Sequence, residues 1–322
     1  MKSFIPWVGG KSKLLWLIRK LSPSRYSRFI DVFGGSGTVT LSRPIQPGCI
    51  EVYNDFNSDL TNLFCCVKNR TMALLLELGF LPLNTRDDFN VLYKFFSKEE
   101  FTDDYLKEEL ELTERYLELP DAETIQRMML ERAPRGDVRR AADFFKLIRY
   151  SFSGGAKSFA GKSCDIRRFF YLIWECSRRL ANVVIENKDC VKLIRQYDRP
   201  ESFFYCDPPY YNADQYYEAV SSDGFDHAGL ADALLGIKGK FLLSYNDCPE
   251  IRALYDRPGI VVEGISRLSN IAQRYENGKQ YPELLISNYD TTELARSCVQ
   301  LTLFDRLDSQ EILNERILYH EI

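Results

Sequence analysis

One stretch, Phe203-Phe204-Tyr205-Cys206-Asp207-Pro208-Pro209-Tyr210-Tyr211, constrains this chain more than any other. Four apolar residues read as a buried strand. Two consecutive prolines then end it, since each fixes φ and withholds an N–H donor. The carbonyls of Asp207 and Pro208 are left with neither ladder nor helix to join. In an open α/β sheet the carboxyl end of a strand is where ligands bind. An anionic acceptor, a carbonyl and an aromatic plane side by side suit an exocyclic amine on a planar base. Asp207 and the Pro208 carbonyl would accept its two N–H bonds, and Tyr210 would stack on the ring. The plainer alternative is a proline-rich strand exit with a buried tyrosine.

A second feature precedes it. Phe29-Ile30-Asp31-Val32 is a short strand running into Phe33-Gly34-Gly35-Ser36-Gly37-Thr38, a turn whose glycines let backbone approach a ligand closely. Asp55 ends the next strand about twenty residues on, where nucleoside-binding α/β folds place an acid against a ribose. Gly10-Lys11-Ser12 suggests a Walker loop, but Ile5 stands where that motif needs its first glycine, and no strand precedes it.

Around these features the chain alternates strand and helix. Strands are expected at Phe29–Val32, Cys49–Tyr53, Val183–Ile185, Phe203–Cys206, Phe241–Ser244, Ile260–Glu263 and Leu284–Ser287, with helices at Lys11–Leu21, Phe56–Lys68, 165–181, 226–236 and 247–255. Between about 71 and 148 the apolar spacing turns helical and charge becomes dense. Helices are expected at Met72–Leu78, Asp87–Phe96, Phe101–Leu117, Ala122–Arg132 and Val138–Tyr150, broken at Pro82, Pro120 and Pro134-Arg135-Gly136. Ser151 to Ser163 is too rich in Gly and Ser for either element and reads as a loop or an irregular hairpin. The expectation is two α/β halves split by a helical insertion.

Composition narrows the chemistry. With only two histidines, His227 and His320, a His-based metal site or a hydrolytic triad is poorly supplied, and no metal is expected. Nine cysteines without a CxxC pair read as mostly buried, reduced thiols. There is no apolar run long enough for a membrane helix, and MKSFIPWVGGK lacks a signal peptide's apolar core, so a cytoplasmic protein is expected. The net charge is −4, yet it is segregated. Residues 1–30 carry seven Lys or Arg and no acid, residues 131–168 ten basic against four acidic residues, and residues 98–123 three against eleven. Two segments are suited to meet an anion, and the acidic one is expected to face away from it.

The motifs Pro6-Trp7-Val8-Gly9-Gly10-Lys11, Asp31-x-Phe33-x-Gly35-x-Gly37, Asn54-Asp55-Phe56-Asn57-Ser58-Asp59-Leu60 and Asp207-Pro208-Pro209-Tyr210 occur in the order seen in Dam-type DNA adenine-N6 methyltransferases, the alpha or D12 class, which this chain resembles over 1–66 and 144–290. The resemblance implies a Rossmann-like α/β methyltransferase fold with a mixed seven-stranded sheet. It also implies S-adenosylmethionine as donor, and a helical target-recognition insertion at 67–143 adjoined by a DNA-contacting loop at 149–163. Trp7, Lys11, Asp31, Phe33, Gly35, Gly37 and Asp55 correspond to donor contacts. Asp189 corresponds to the acid that meets the donor's adenine, and Cys190 stands where relatives often carry an aromatic. Asp207, Pro208, Pro209 and Tyr210 correspond to the catalytic motif, with Asp207 also bordering the donor. Ser244–Asp247 and Glu283–Tyr289 resemble later strand motifs lining the target side.

The implied activity is transfer of a methyl group to N6 of an adenine flipped out of double-stranded DNA. The same chemistry on cytosine N4 or RNA, and an inactive binding relative, are the alternatives. Arg149, Tyr150, Ser151, Lys157 and Lys162 lie where relatives carry a DNA-contacting hairpin; Ser151 replaces a frequent asparagine, so no target sequence follows, GATC included. The expected protein is a monomer, encoded by a bacterium or phage, nucleoid-associated and serving restriction-modification. Residues 291–322 form a tail beyond the fold. In it Gln300-Leu301-Thr302-Leu303-Phe304 resembles the bacterial sliding-clamp binding motif, or else packs Leu301, Leu303 and Phe304 on its own core.

Overall fold

The computed structural model describes residues 1–7, 9–80, 86–97, 115, 137–152, 156, 158–161, 165–211, 224–268 and 280–291. Its strands are β1 (Arg28–Asp31), β2 (Ile50–Asn54), β3 (Val183–Glu186), β4 (Ser202–Cys206), β5 (Lys240–Asn246), β6 (Val261–Leu268) and β7 (Gln280–Ser287). They make a seven-stranded mixed sheet in the order β3-β2-β1-β4-β5-β7-β6. The helices are α1 (Leu15–Leu21), α2 (Thr38–Ser42), α3 (Ser58–Asn69), α4 (Thr71–Phe80), α5 (Arg86–Ser97), α6 (Val138–Tyr150), α7 (Phe170–Leu180), α8 (Cys190–Tyr197), α9 (His227–Leu235) and α10 (Pro249–Tyr255). The fold is α/β, as expected. No helix among the described residues is long and apolar enough to cross a membrane.

All seven expected strands are present, with β6 and β7 longer than their apolar runs. These two pair antiparallel from Val261↔Ser287 to Leu268↔Gln280, and the ladder carries each beyond the run read from sequence. The expected helices that fall on described residues are also present, although 165–181 is interrupted: a 3₁₀ turn, Ile166–Phe169, precedes α7. The expected helix at Ala122–Arg132, and all of that at Phe101–Leu117 except the helical Arg115, lie outside the described residues. The 151–163 segment takes the hairpin form where described, with Ser151 bridging Phe159 and the Phe152 amide donating to the Ser158 carbonyl.

The described chain divides into two compact units. The first contains Met1–Gly10 and Phe33–Asp189. In it β2 and β3 run parallel, from Glu51↔Val183 to Asn54↔Glu186. Asn57 caps α3 by accepting the Asp59 and Leu60 amides, and Asp137 caps α6 by accepting the Arg140 amide. The Asn62 side chain both donates to the Asp137 carbonyl (2.9 Å) and accepts its amide (3.0 Å), fastening the start of α6 to α3. Apolar faces of α3 to α6 share one core, in which Phe64, Leu74, Phe89 and Phe145 are buried. Arg179 on α7 is buried, with each of its three nitrogens hydrogen-bonded. It forks onto Glu51 at 2.7 and 2.8 Å and donates to the Thr40 and Arg43 carbonyls.

The second unit contains Lys11–Val32 and, among the described residues, 190–211, 224–268 and 280–291. Strands β1, β4 and β5 run parallel, and β7 lies antiparallel between β5 and β6. Each residue of β4 is buried, which is why Phe203–Cys206 reads as an uninterrupted apolar run. This strand delivers Asp207-Pro208-Pro209-Tyr210 to the carboxyl edge of its neighbours.

Candidate active site

The glycine turn of the first unit is held from β2. The Gly34 amide donates to the Asn54 carbonyl (2.7 Å), the Gly35 amide to Asp55 Oδ2 (2.9 Å), and the Tyr53 hydroxyl to the Gly35 carbonyl (2.7 Å). Gly35 and Gly37 sit at φ +50° and +67°, backbone conformations that L side chains rarely adopt. A Cβ on Gly35 would stand 3.1 Å from the Trp7 indole, and one on Gly37 would meet the Phe64 ring at 2.8 Å. Trp7 therefore flanks Gly35, while Val8 lies outside the described residues.

Asp55 does two things at once. Oδ2 takes the Gly35 amide and Oδ1 the Asn57 amide (2.8 Å). Burial pushes its pKa up, and the amide donors of Asn57, Gly35 and Phe56 oppose that. The loop after β3 is tied to the same place. Asn54 exchanges two hydrogen bonds with the Lys188 peptide (2.9 and 3.0 Å), and Asn187 donates to the Asp55 and Phe56 carbonyls. The two acids implied to read the donor's nucleoside, Asp55 and Asp189, thus stand on loops locked to each other within one unit.

In the second unit Lys11 is 3% exposed, its Nζ 2.6 Å from Asp207 Oδ1 and 3.0 Å from the Tyr210 hydroxyl. The ammonium also lies 5.0 Å from the centre of the Tyr210 ring. That hydroxyl donates onward to Glu283 Oε1 at 2.8 Å. The Tyr211 amide donates to Asn246 Oδ1 (3.0 Å), and Asn246 Nδ2 returns a bond to the Tyr211 carbonyl (3.3 Å). The ring of Tyr245 lies 6.3 Å from that of Tyr210. Asp31 is buried at the end of β1. Burial, and next the negative charge of Asp207, Asp31, Tyr210 and Glu283, raises the Tyr205 hydroxyl well above its ordinary pKa. The double proline thus delivers a carboxylate and a tyrosine to one place, each fixed by side chains from other elements.

Residues 7–277 match the family described as D12 class N6 adenine-specific DNA methyltransferase, a span that runs from Trp7 through the glycine turn and the Asp207–Tyr210 motif. The chain belongs to that family. Its fold and its motif order agree with the membership, and the resemblance drawn from the motifs is borne out. The activity is that of an adenine-specific DNA methyltransferase, and DNA is the substrate. The chain is also similar to a Type II methyltransferase, M1.LlaDCHI, of Lactococcus lactis subsp. cremoris. That relative is 27% identical over 308 residues, which cover 90% of this chain and 96% of its own length.

Against this family background the residues implied to contact DNA sit unexpectedly. Arg149 turns inward: its guanidinium donates to the Phe4 carbonyl and lies 3.5 Å from the centre of the Phe169 ring. Tyr150 is 3% exposed and belongs to the first unit's core. Ser151 is buried, donating to the Ile148 carbonyl and accepting the Ala156 amide. Lys157 and Lys162 lie outside the described residues. The motifs placed Asn54 beside Asp55 and Asn246 on the target side, but did not show that the side chains of Asn54, Asn187 and Asn246 fasten the loops that carry the acids and the tyrosines. Short amides at strand ends are too common to stand out, and only the contacts reveal them.

Proposed function

We propose that this methyltransferase moves the methyl group of S-adenosylmethionine to N6 of an adenine flipped out of double-stranded DNA at a specific site. The observation that carries the reading is the group around Asp207: an anionic acceptor and an aromatic ring, both fixed, following the proline pair. The first unit fits the donor's chemistry, since a turn with two left-handed glycines beside an indole and two loop-held acids suit a methionine backbone, a ribose and a purine. In this reading Trp7, Phe33, Gly35 and Gly37 are contacts of the methionine part, and by the family resemblance Lys11 and Asp31 correspond to donor contacts too. Asp55 takes the ribose and Asp189 the adenine, with Cys190 beside it. When bound, S-adenosylmethionine supplies an electrophilic sulfonium methyl.

The chain's own groups handle the target. Asp207 accepts one N–H of the amino group and the Pro208 carbonyl the other, which directs the nitrogen lone pair outward. Pro209 keeps the backbone extended, and Tyr210 carries the ring by stacking. A carboxylate accepts several hydrogen bonds, so Lys11 on Oδ1 and an amino group at Asp207 are compatible. As N6 gains carbon it must release a proton, and Asp207 is the acceptor placed for it. Positioning and fixed charge supply the rate. Duplex contacts fall to the segment 67–143 and to Lys157 and Lys162; Arg149, Tyr150 and Ser151 would join them only by leaving their present partners.

The test is transfer of tritiated methyl from S-adenosylmethionine to duplex DNA, followed by digestion to nucleosides. Label in N6-methyladenine is expected; label in cytosine, or transfer to RNA alone, contradicts the reading.

By its likeness to a Type II methyltransferase, the chain is further proposed to protect sites against a cognate endonuclease, acting as a monomer on a bacterial or phage genome in the cytoplasm. Gln300, Leu301, Leu303 and Phe304, which lie outside the described residues, are proposed to dock on a sliding clamp, with the leucine and phenylalanine filling an apolar pocket. A 295–310 peptide should bind clamp and lose binding with Leu303→Ala/Phe304→Ala; full-length protein that ignores the clamp removes the idea.

A further inference from the structure

Glu283 is fully buried, one carboxylate at the head of the apolar run Leu284-Leu285-Ile286 of β7. A charge in such a place is costly unless it is bound, and a strand needing only to pack would carry a leucine. Its Oε1 accepts the Tyr210 hydroxyl at 2.8 Å, while Lys11 donates to that same hydroxyl at 3.0 Å. The tip of the ring therefore has one acceptor and one donor partner, which fixes the direction of its O–H. Glu283 faces Asn246 in the β5–β7 register, and Asn246 grips the Tyr211 peptide from both sides. One pair of register partners thus holds both tyrosines of the motif, the first by its hydroxyl and the second by its backbone. The family match ends at residue 277, before Glu283.

We propose that Glu283 is a positioning residue of the methyl transfer, acting through the Tyr210 hydroxyl to set the plane on which the target adenine stacks. The inference rests on the reading of Tyr210 as that platform. An unheld tyrosine samples other rotamers, and the amino group it carries then misses the geometry in which Asp207 directs its lone pair.

The experiment uses the full chain, S-adenosylmethionine and a methylatable plasmid, with kcat, KM for each substrate and thermal unfolding measured. Glu283→Leu should lower kcat by about tenfold or more with little change in KM for S-adenosylmethionine. Glu283→Gln keeps an oxygen acceptor for the hydroxyl and should recover most of the rate. Tyr210→Phe should lose a similar factor, and adding Glu283→Leu to it should cost little more, because the bond is already gone. Wild-type kcat in Glu283→Leu, or single losses that multiply in the double variant, overturns the proposal. Should Glu283→Leu fail to fold, Tyr210→Phe decides alone, and a wild-type kcat there overturns it. Tyr210→Ala separates the two ideas. If it is inactive while Glu283→Leu is fully active, only the positioning role fails; if it keeps its rate, the platform reading fails and takes the role of Glu283 with it.

Discussion

At Asp55, burial and hydrogen bonding pull in opposite directions. Desolvation raises its pKa, and the amides of Asn57, Gly35 and Phe56 favour the anion. The net shift is upward, so the fold binds this proton more readily than the unfolded chain does. Its contribution to stability therefore grows as pH falls through the folded pKa and shrinks as pH rises. In the proposed ribose role donor binding would run the other way, since the charged carboxylate is the better acceptor for a hydroxyl. Asp55→Ala is expected to weaken S-adenosylmethionine affinity by roughly 1–3 kcal/mol, the worth of a charge-assisted hydrogen bond with its glycine turn held in place. Calorimetric titration checks this, and an unchanged affinity contradicts the ribose role. Elsewhere burial alone dominates. It pushes the thiols of Cys66 and Cys176 up to about 12; Cys190 and Cys206 are buried as well, whereas Cys49, Cys65 and Cys248 are only partly so.

At the scale of elements, what was legible in the sequence was what repeats along it. The strands announced themselves as short apolar runs, the glycine turn by composition, and the strand exit at Asp207 by two prolines. Two helices did not. The α2 segment Thr-Val-Thr-Leu-Ser has poor helix propensity and forms because Gly37 turns the chain at φ +67° into its first residue. In α8 only Cys190, Leu193 and Ile194 are buried, too few for a period to be read. The inward turn of Arg149 and Tyr150 was hidden for a related reason. At the end of an expected helix and beside a Gly/Ser loop, they look like surface. As the last turn of α6, Tyr150 follows the buried Lys146 and Leu147 by four and three residues and shares their face. Likewise nothing local marks Arg179 as buried. Its partner is a carboxylate 128 residues away, and a buried pair of this kind depends on the further hydrogen bonds that its nitrogens make, here to the Thr40 and Arg43 carbonyls.

Over the whole molecule, charge counted from sequence overstates what the surface offers to DNA. Of the seven basic residues before position 31, Lys11 is spent on Asp207. Of the ten between 131 and 168, Arg140 and Lys146 are buried and Arg149 faces the Phe4 carbonyl. The proposed catalysis does not depend on those charges. It depends on one carboxylate at the end of β4, with a lysine, a tyrosine and, through that tyrosine, a glutamate arranged around it. The most direct measurement is methyl transfer to DNA by Asp207→Ala, made alongside its affinity for S-adenosylmethionine. Turnover should fall by at least about a hundredfold, with affinity for the donor changed by less than about tenfold. A variant that methylates DNA at the wild-type rate would contradict the account.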